Sequence, residues 1–328
     1  MPNGEKAANA EEWKAQRKAL IERILHFEYG ALPPTPRNVT GKILKETANK
    51  LATGKEGFRE QEILLTMGPK GSVQTHLFLT IPMIANDKMK LPIILVGDAT
   101  WGRVDPKIRE EALQRGYILA EFDRTEIAPD SAERKGVYAA YPNYRGGRIS
   151  AWAWGYSRVI DYVCKLPFVN RKQIILTGHS RGGKATLLAG ALDERVALTA
   201  PNNSGCGGAG CFRFQGGNSE DITAILKSFP HWFAPDFNRF IGHIDKLPFD
   251  QHTIKALVAP RSLLTTEGLD DKWANPSGTQ ISYNAAKEVY LFLGAENAIR
   301  LVFRPGGHEH GLADWKTLLD FSDLRLKR

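Results

Sequence analysis

The sequence predicts an α/β fold in which a doubly wound, mostly parallel sheet carries helices on both faces. Short apolar runs alternate with helical patterns along most of the chain, as is typical of parallel strands joined by right-handed crossovers. A second indication is the pentapeptide at residues 178–182, which stands between an apolar run and a helix-prone segment. A third is residues 205–259, which are rich in glycine, aromatic residues and proline and are too long for a plain connection.

The first elements are a helix and a hairpin. Residues 11–29 carry apolar side chains at helical spacing, and Pro33 and Pro34 end the pattern. Residues 63–66 and 76–81 are apolar runs that flank Gly-Pro-Lys-Gly at 68–71. This arrangement predicts a β-hairpin.

Six later apolar runs are predicted to be strands: 93–96, 118–122, 174–177, 197–200, 262–266 and 299–303. Helical patterns lie between most of them, for example at 151–165. We interpret residues 205–259 as an insertion over the carboxyl edge of the sheet, where ligands bind in such folds. Because the chain has no internal repeat or linker, the simplest division is a single domain over residues 1–328.

Composition argues against several classes of partner. The chain has 328 residues, with 44 Lys and Arg against 36 Asp and Glu, which is a net charge of +8. The charges are spread without a basic block or interleaved aromatic residues, so nucleic acid is not expected as a partner. No run of about 18 apolar residues is present, so no membrane span is expected. The basic balance leaves two explanations, a lysine-biased solvated surface and an acidic polymer as substrate.

Neither a metal nor a cofactor is expected. Cys164, Cys206 and Cys211 are too few for a disulfide framework, and Cys206 and Cys211 either pair or stay as buried thiols. No Cys/His cluster has the spacing of metal ligands. Residues 1–6 contain no apolar signal region, which says little about location because signals are removed from mature proteins.

The most informative segment is Gly-His-Ser-Arg-Gly at 178–182. The apolar run 174–177 precedes it, and a helix-prone segment at 184–189 follows it. A Gly-x-Ser-x-Gly sequence between strand and helix is typical of a nucleophile elbow, where glycines make room for a tight turn beside the serine. We therefore predict that Ser180 is a nucleophile, with an ordinary glycine-rich turn as the alternative.

A serine nucleophile needs a base and an acid, and α/β hydrolases carry them in the order Ser, acid, His. His308 and His310 follow the last predicted strand, and two glycines before His308 favour it as the base. Asp271, with Asp270 as the second choice, follows the strand at 262–266 and is predicted to orient the imidazole. The alternatives are a helix N-cap for either aspartate and a surface loop for the histidines.

Arg181 directly follows the predicted nucleophile. Its backbone N–H has the position of an oxyanion donor, and its guanidinium offers a second, charge-assisted donor. The alternative is a salt bridge to an acid such as Glu121 or Asp123. His179, on the other side of the serine, is not expected to point back at it, and His231 is expected to be a packing or surface residue.

With these residues placed, the chain resembles the glucuronoyl esterases of carbohydrate esterase family 15, which are α/β hydrolases. The resemblance covers most of the chain and is strongest from Thr-Gly-His-Ser-Arg-Gly-Gly-Lys at 177–184 to Ser-Gly-Cys-Gly-Gly at 204–208. Further matching segments are 27–33, 151–158, 229–233 and 271–276. The resemblance implies hydrolysis of the ester between 4-O-methyl-glucuronic acid on xylan and lignin alcohols.

The resemblance also implies roles for single residues. Ser180, His308 and Arg181 match the nucleophile, the base and the arginine that steadies the oxyanion. Four residues match positions that hold the sugar: Lys184, Glu220, Trp273 and Gln215. The alternatives are surface charges for Lys184 and Glu220, and core packing for Trp273.

One position departs from the family pattern. Many members carry the triad glutamate just after the strand that precedes the glycine-rich loop, where this chain has Asn203. Asparagine cannot stabilise an imidazolium by charge, and some bacterial members place the acid after the next strand, which again indicates Asp271. The cysteines that flank the serine and histidine in fungal members are replaced by His179 and Glu309. The chain therefore resembles the bacterial type.

We expect a serine carboxylesterase that acts on uronic acid esters, as a secreted or periplasmic monomer. The expected partner is a glucuronic acid ester on xylan or on a lignin–carbohydrate complex. The alternatives are an acetyl-xylan esterase or another serine hydrolase of the same fold, and a non-catalytic protein that binds glucuronate polysaccharide.

Overall fold

A computed structural model describes residues 6–51, 54 and 57–326. Residues 1–5, part of the segment without an apolar signal region, lie outside the described residues. The described strands form one sheet in the order β1-β2-β3-β5-β4-β6-β7-β8-β9. They are β1 Thr40–Lys50, β2 Gly57–Met67, β3 Val73–Pro82, β4 Leu91–Val96, β5 Ile118–Phe122, β6 Val169–His179, β7 Val196–Asn202, β8 Ser262–Gly268 and β9 Ile299–Arg304.

The predicted doubly wound, mostly parallel sheet is confirmed. Strands β4 to β9 run parallel to one another, and each contains one of the six predicted strand segments, whereas β5 pairs antiparallel with β3 on its other side. From β4 the chain first adds β5 on one side and then crosses over to add β6 on the other. The crevice at the carboxyl ends of β4 and β6 is therefore the topological switch point, where α/β sheets bind their ligands.

The antiparallel part of the sheet contains one strand that the sequence did not predict. The hairpin of β2 and β3 around 68–71 is confirmed, and β1 pairs antiparallel with β2 at the outer edge. Most side chains of β1 are exposed, so this strand lacks the apolar alternation on which the prediction of strands depends.

Ten α-helices are described: α1 Ala10–Ile24, α2 Pro106–Gln114, α3 Arg124–Ile127, α4 Val137–Ala140, α5 Arg148–Val163, α6 Arg181–Leu192, α7 Ile222–Ser228, α8 Gln251–Ala256, α9 Pro276–Phe292 and α10 Leu312–Leu326. Asn9 caps α1 by accepting a hydrogen bond from the N–H of Glu12 at 2.9 Å. The predicted helix at 11–29 is α-helical only to Ile24, and Leu25–Tyr29 is a wider π-helical turn. None of the described helices is both long and apolar enough to cross a membrane.

The insertion at 205–259 contains short helices and turns and lies at the carboxyl edge, as predicted. It begins directly after β7, and its Glu220 N–H bonds to the carbonyl of Trp273, which follows β8. Asp250 fixes the first part of the insertion, since its carboxylate accepts hydrogen bonds from the backbone N–H groups of Phe212 at 2.8 Å and Arg213 at 3.1 Å. Buried backbone groups are thereby satisfied in a segment that has no strand ladder.

Apolar side chains cover both faces of the sheet. Alternate residues of β4 point to opposite faces, so Ile93 joins a large cluster with Trp152 of α5, and Ile94 joins a smaller one with Trp315 of α10. This two-sided burial explains why the central strands read as continuous apolar runs. The division into one domain over residues 1–328 stays a prediction.

Candidate active site

Ser180 occupies a sharp turn between β6 and α6, which is the predicted strand–turn–helix context. Its backbone has φ 55° and ψ −124°, a conformation that is strained for a residue with a side chain. Its N–H donates to the carbonyl of Asn202 at 3.0 Å, which holds the turn. Side chains at Gly178 or Gly182 would collide with neighbouring atoms, so both glycines are required by close approach.

His308 and Asp271 are brought together across 37 positions of sequence. His308 Nδ1 lies 2.5 Å from Asp271 Oδ2. A carboxylate accepts this hydrogen bond, so Nδ1 carries the proton and Nε2 is the acceptor of the neutral ring. Of the residues left as alternatives, His310 stacks on Trp315 with ring centroids 5.4 Å apart, and exposed Asp270 accepts from the N–H of Gly306.

The Asp271 side chain is buried and charged at neutral pH. Burial disfavours the carboxylate, but hydrogen bonds from His308 and Asn203 outweigh it and hold the pKa of Asp271 below its ordinary value. Asp271 also accepts from the N–H of Ala274 at 3.4 Å, so it caps the 3₁₀ turn at Lys272–Ala274 as well. Asp271 therefore contacts the imidazole of His308 and also acts as an N-cap, which the sequence analysis had given as the alternative role.

Asn203, directly after β7, supports the carboxylate of Asp271. Its Nδ2 donates to Asp271 Oδ2 at 2.6 Å, and its Oδ1 accepts from the N–H of Gly268 at 3.2 Å. The backbone of Asn203 has a φ of 41°, which asparagine tolerates better than most residues. The sequence showed that residue 203 is an asparagine, but it did not show that the amide of this residue binds Asp271.

The elbow and the histidine loop meet through His179. The rings of His179 and His308 lie 4.5 Å apart between centroids. His179 Nδ1 lies 2.6 Å from Asn202 Oδ1, so the imidazole is turned toward β7. Among the described residues, no hydrogen bond joins Ser180 to His308. Such bonds are often loose in enzymes without substrate and tighten when substrate binds.

Arg181 forms a salt bridge, but not with either acid named from the sequence. Its Nη1 lies 2.6 Å from Asp130 Oδ2. Glu121 instead pairs with Arg103 at 2.7 Å, and Asp123 caps helix α3. The expectation of Glu121 or Asp123 as partner is wrong because both side chains already have local partners beside β5.

Asp130 is a functional candidate that the sequence did not reveal. Besides Arg181, it binds His231 Nε2 at 2.9 Å and Trp232 Nε1 at 2.7 Å. Although burial opposes its charge, these hydrogen bonds hold the pKa of Asp130 well below its ordinary value. His231 packs against the rings of Phe229 and Trp232, as expected of a packing residue, and in addition supports the arginine through Asp130. Asp130 lies in a loop without a motif, so no local signal marks it.

The guanidinium of Arg181 lies against a pair of stacked aromatic rings and keeps a free donor. Its carbon lies 5.1 Å from the ring centroid of Phe229 and 5.0 Å from that of Trp232. Its Nε is buried and has no hydrogen-bond partner among the described residues. Since buried donors are almost always satisfied, this one is suited to a group that arrives with a ligand.

Three of the four predicted sugar-binding residues form one cluster. Lys184 Nζ lies 3.9 Å from Glu220 Oε2, and the Trp273 side chain bonds to Glu220. Lys184 and Glu220 are buried, so the alternative of surface charges is wrong. Trp273 is 55% exposed, so the alternative of core packing is wrong as well.

Burial acts in opposite directions on the two charged members of this cluster. It lowers the pKa of Lys184 and raises that of Glu220, and each group's attraction to the other opposes the change. Lys184 Nζ also donates to the carbonyl oxygens of Ser204, at 2.7 Å, and of Cys206. The ammonium is therefore held in place at the start of the glycine-rich loop.

Gln215 is engaged within the insertion itself. Its Nε2 donates to the carbonyls of Cys211 at 3.3 Å and Phe212 at 3.0 Å, and its Oε1 accepts from Ser219 at 3.1 Å. Both amide hydrogens already have acceptors, so contact with a sugar requires exchange of these bonds. Its role in binding stays a prediction.

Metal binding and disulfide formation depend on how cysteine, histidine and acidic side chains are grouped. Within the part of the chain that the structure describes, no three His, Cys, Asp or Glu side chains are grouped to hold a metal ion. Cys206 and Cys211 are free and buried, which decides between the two possibilities left by the sequence. Burial raises the pKa of both thiols.

Known proteins resemble this chain over most of its length. A family model described as "Glucuronyl esterase, fungi" matches residues 71–294. Carbohydrate esterase MZ0003, from an unknown prokaryotic organism, is 30% identical, over 98% of this chain and 87% of that protein. The 4-O-methyl-glucuronoyl methylesterase of Podospora anserina is also 30% identical, over 89% of this chain, which spans 59% of that protein.

Solved structures agree with these sequence matches. A carbohydrate esterase family 15 glucuronoyl esterase from Caldicellulosiruptor kristjansonii superposes with a TM-score of 0.82 at 31% identity, over 99% of this chain and 88% of that chain. A glucuronoyl esterase from Solibacter usitatus superposes with a TM-score of 0.87 at 25% identity, over 99% of this chain and 96% of that chain. The similarity therefore extends from the sheet to the insertion.

Proposed function

Because this chain belongs to the glucuronoyl esterase family, we propose that it hydrolyses esters of glucuronic acid through an acyl-enzyme on Ser180. The observation that carries the proposal is the 2.5 Å contact between His308 and Asp271 at the carboxyl edge of the sheet, where the Ser180 elbow also lies. The reaction is carboxylic ester hydrolysis, and the substrate is a (4-O-methyl-)glucuronic acid ester such as occurs between glucuronoxylan and lignin.

In the first half of the reaction, the Ser180 hydroxyl attacks the C6 carbonyl of the uronate ester. His308 accepts the serine proton at Nε2, because its Nδ1 proton is already held by Asp271. The Asp271 carboxylate stabilises the imidazolium that forms. His308 then gives the proton to the departing alcohol, and the uronyl group stays on Ser180.

The tetrahedral intermediate carries a negative charge on the former carbonyl oxygen. The backbone N–H of Arg181, at the first position of α6, has no partner within the helix and is available to this oxygen. The guanidinium adds positive charge, and the bonds from Asp130 limit its motion. Loss of one such donor typically lowers kcat by about 10²–10³.

In the second half, His308 removes a proton from water as the water oxygen attacks the acyl carbon. The bond between this carbon and Ser180 Oγ then breaks, His308 returns the proton to Ser180, and the free uronic acid leaves. Lys184, Glu220 and Trp273 hold the sugar through both halves, with Gln215 as a further contact. The buried ammonium and carboxylate bond to sugar hydroxyls, and the exposed indole of Trp273 packs against the ring. Fixed polar groups of this kind position a hydroxylated ring at little entropic cost.

The central experiment compares the wild-type protein with Ser180→Ala on benzyl glucuronate. We expect the wild type to release benzyl alcohol and to be labelled by a fluorophosphonate, and Ser180→Ala to do neither. Ser72→Ala is the matched control, because Ser72 is exposed in the turn between β2 and β3. Wild-type turnover by Ser180→Ala would remove this serine from the mechanism.

The same assays separate the alternative functions. Rapid hydrolysis of nitrophenyl acetate, without hydrolysis of glucuronate esters, would indicate an acetyl esterase. Binding of glucuronate measured by calorimetry, without labelling or turnover, would indicate a non-catalytic polysaccharide-binding protein.

We also propose that the protein acts outside the cytoplasm as a monomer. A polysaccharide ester does not cross a membrane unaided, so its hydrolase has to meet it in the periplasm or medium. Cell fractionation of the native host tests the location, and light scattering of the purified protein tests the oligomeric state. Recovery in the cytoplasm, or a stable dimer mass, would contradict this proposal.

A further inference from the structure

We propose that Trp101 and the cavity beside it form the subsite for the alcohol half of the ester, and that Trp101 is the residue that sets how strongly an aromatic alcohol is preferred over a small alkyl alcohol. The inference rests on the proposed function. It assigns a site to the organic group of the leaving alcohol, whose oxygen is protonated by His308.

The order of the strands decides on which side of Ser180 the alcohol lies. Ser180 follows β6, whereas Lys184 binds carbonyls after β7, and Glu220 and Trp273 meet at the end of β8. With the sugar over β7 and β8 and the carbonyl at Ser180, the ester oxygen and its alcohol extend the opposite way. That direction leads to the carboxyl end of β4, about 5 Å away, which is followed by Trp101.

Trp101 is an exposed indole that is held rigidly at this place. Its side chain is 51% exposed, and the guanidinium carbon of Arg124 lies 4.4 Å from its ring centroid. Arg124 is itself fully buried and paired with Asp98. A large apolar ring fixed at the surface by a buried ion pair is suited to stack against another ring.

Trp101 also adjoins the catalytic groups. Its ring centroid lies 5.8 Å from the guanidinium carbon of Arg181 and 6.1 Å from the ring centroid of His179. The His179 ring in turn contacts that of His308, the residue that protonates the leaving alcohol. An aryl group on Trp101 is therefore next to both the oxyanion site and the proton donor.

A cavity of about 190 Å³ opens between the rings of Trp101, His179, His310 and Trp315. Cavities of about 150 Å³ hold a benzene molecule in proteins, so this one has room for one aromatic ring. Burial lowers the pKa of His179 to about 4 and that of His310 to about 3, so both imidazoles are uncharged at neutral pH. The walls thus offer aromatic surfaces to an apolar guest.

Four charged side chains also line the cavity: Asp98, Arg103, Asp105 and Glu121. Arg103 and Glu121 pair at 2.7 Å, and Asp98 pairs with buried Arg124. Asp105 accepts a hydrogen bond from the N–H of Lys107 at the start of α2, and Glu121 accepts from the N–H of Val104 at 2.6 Å. Because each of these charged groups already has a partner, they give no reason for the cavity to prefer a charged alcohol.

The test is the ratio of kcat/KM for benzyl glucuronate to kcat/KM for methyl glucuronate. Trp101→Ala should lower this ratio about tenfold, the size of effect expected for loss of an aromatic pair. Trp273→Ala is the matched control: it also removes an exposed indole, but on the sugar side, so it should lower both values and leave the ratio within about twofold. Thermal melts check that each variant is folded.

A second variant fills the cavity without removing the indole. Val104→Phe places a ring at the partly exposed rim and should also lower the benzyl-to-methyl ratio. An unchanged ratio in folded Trp101→Ala and Val104→Phe overturns the inference, as does an equal fall of the ratio in Trp273→Ala. Failure of the proposed function gives a different result, since the wild-type protein then hydrolyses neither ester.

Discussion

Asn203 Nδ2 donates to the same Asp271 oxygen that holds the imidazole of His308, at 2.6 Å and 2.5 Å respectively. The amide follows β7 and the carboxylate follows β8, so two neighbouring strands build one support for the ring. The amide of Asn203 carries no charge itself, but its hydrogen bond stabilises the charge on Asp271.

These hydrogen bonds to Asp271 predict that substitutions of two adjacent aspartates have different effects on kcat. Asp271→Asn should lower kcat on benzyl glucuronate by about 10⁴, because the amide cannot stabilise the imidazolium and favours the wrong tautomer. Asp270→Asn is the matched control, since Asp270 is exposed and its side chain accepts a hydrogen bond from the backbone N–H of Gly306. Steady-state kinetics measures both. A large loss in Asp270→Asn with a small one in Asp271→Asn would reverse the assignment.

Asn203→Ala should lower kcat about tenfold and leave KM unchanged, because one hydrogen bond to a charged group is lost. Without this donor the pKa of Asp271 rises, so the protonated, inactive form of the carboxyl appears at a higher pH than in the wild type. The pH dependence of kcat measures the shift. Asn284→Ala, on the exposed face of α9, should behave as wild type. An identical profile for Asn203→Ala would show that the bond is dispensable.

Arg304 organises the loop that carries His308. Its Nε bonds both oxygens of buried Asp314 at 3.0 and 2.8 Å, its Nη1 bonds Glu309 at 3.0 Å, and its Nη2 bonds the carbonyl of Gly307 at 3.1 Å. Arg304→Gln should lower the free energy of unfolding by about 3–5 kcal/mol, because it leaves Asp314 buried without its partner.

Arg304→Gln should also lower kcat more than it raises KM. The cluster predicted to bind the sugar stays in place, whereas His308, the predicted base, is displaced. Arg304→Lys should retain part of the stability and part of the kcat that Arg304→Gln loses. Arg300→Gln, at an exposed position of the same strand, is the control. Denaturant unfolding and steady-state kinetics are the measurements, and an unfolding free energy like that of wild type would refute the prediction.

The half-buried histidines His179 and His310 predict a loss of stability in mild acid. The pKa values of His179 and His310 are about 4 and about 3 in the folded protein, against an ordinary 6.5. Between these values the unfolded chain binds protons that the folded chain does not, so stability falls as the pH drops from about 6.5 to about 4. Melting temperatures at pH 7 and pH 4.5 measure the fall.

His310→Phe keeps an aromatic ring beside Trp315 and removes one of these titrating groups, so the fall should be smaller. His243→Phe, at an exposed position, should show the same fall in melting temperature as the wild type. An equal fall in the wild type and His310→Phe would show that this imidazole is not the cause.

The sequence by itself determined the features that depend on local spacing. Apolar runs interrupted by helical patterns predicted the parallel strands β4 to β9, and Gly-His-Ser-Arg-Gly predicted the elbow at Ser180. His308 and Asp271 could be chosen because in this fold catalytic residues follow particular strands in a known order. In each case the signal lies within a few residues of the feature it predicts.

The tertiary structure alone decided the partners of these residues. Asp130 reaches Arg181 across 51 positions, and Asn203 reaches Asp271 across 68. The cavity beside Trp101 is made from residues of loops and helices as far apart as β4 and α10. A hydrogen bond or a packed ring depends on distances in space, and only the folding of the sheet brings such distant positions within 3 to 6 Å of each other.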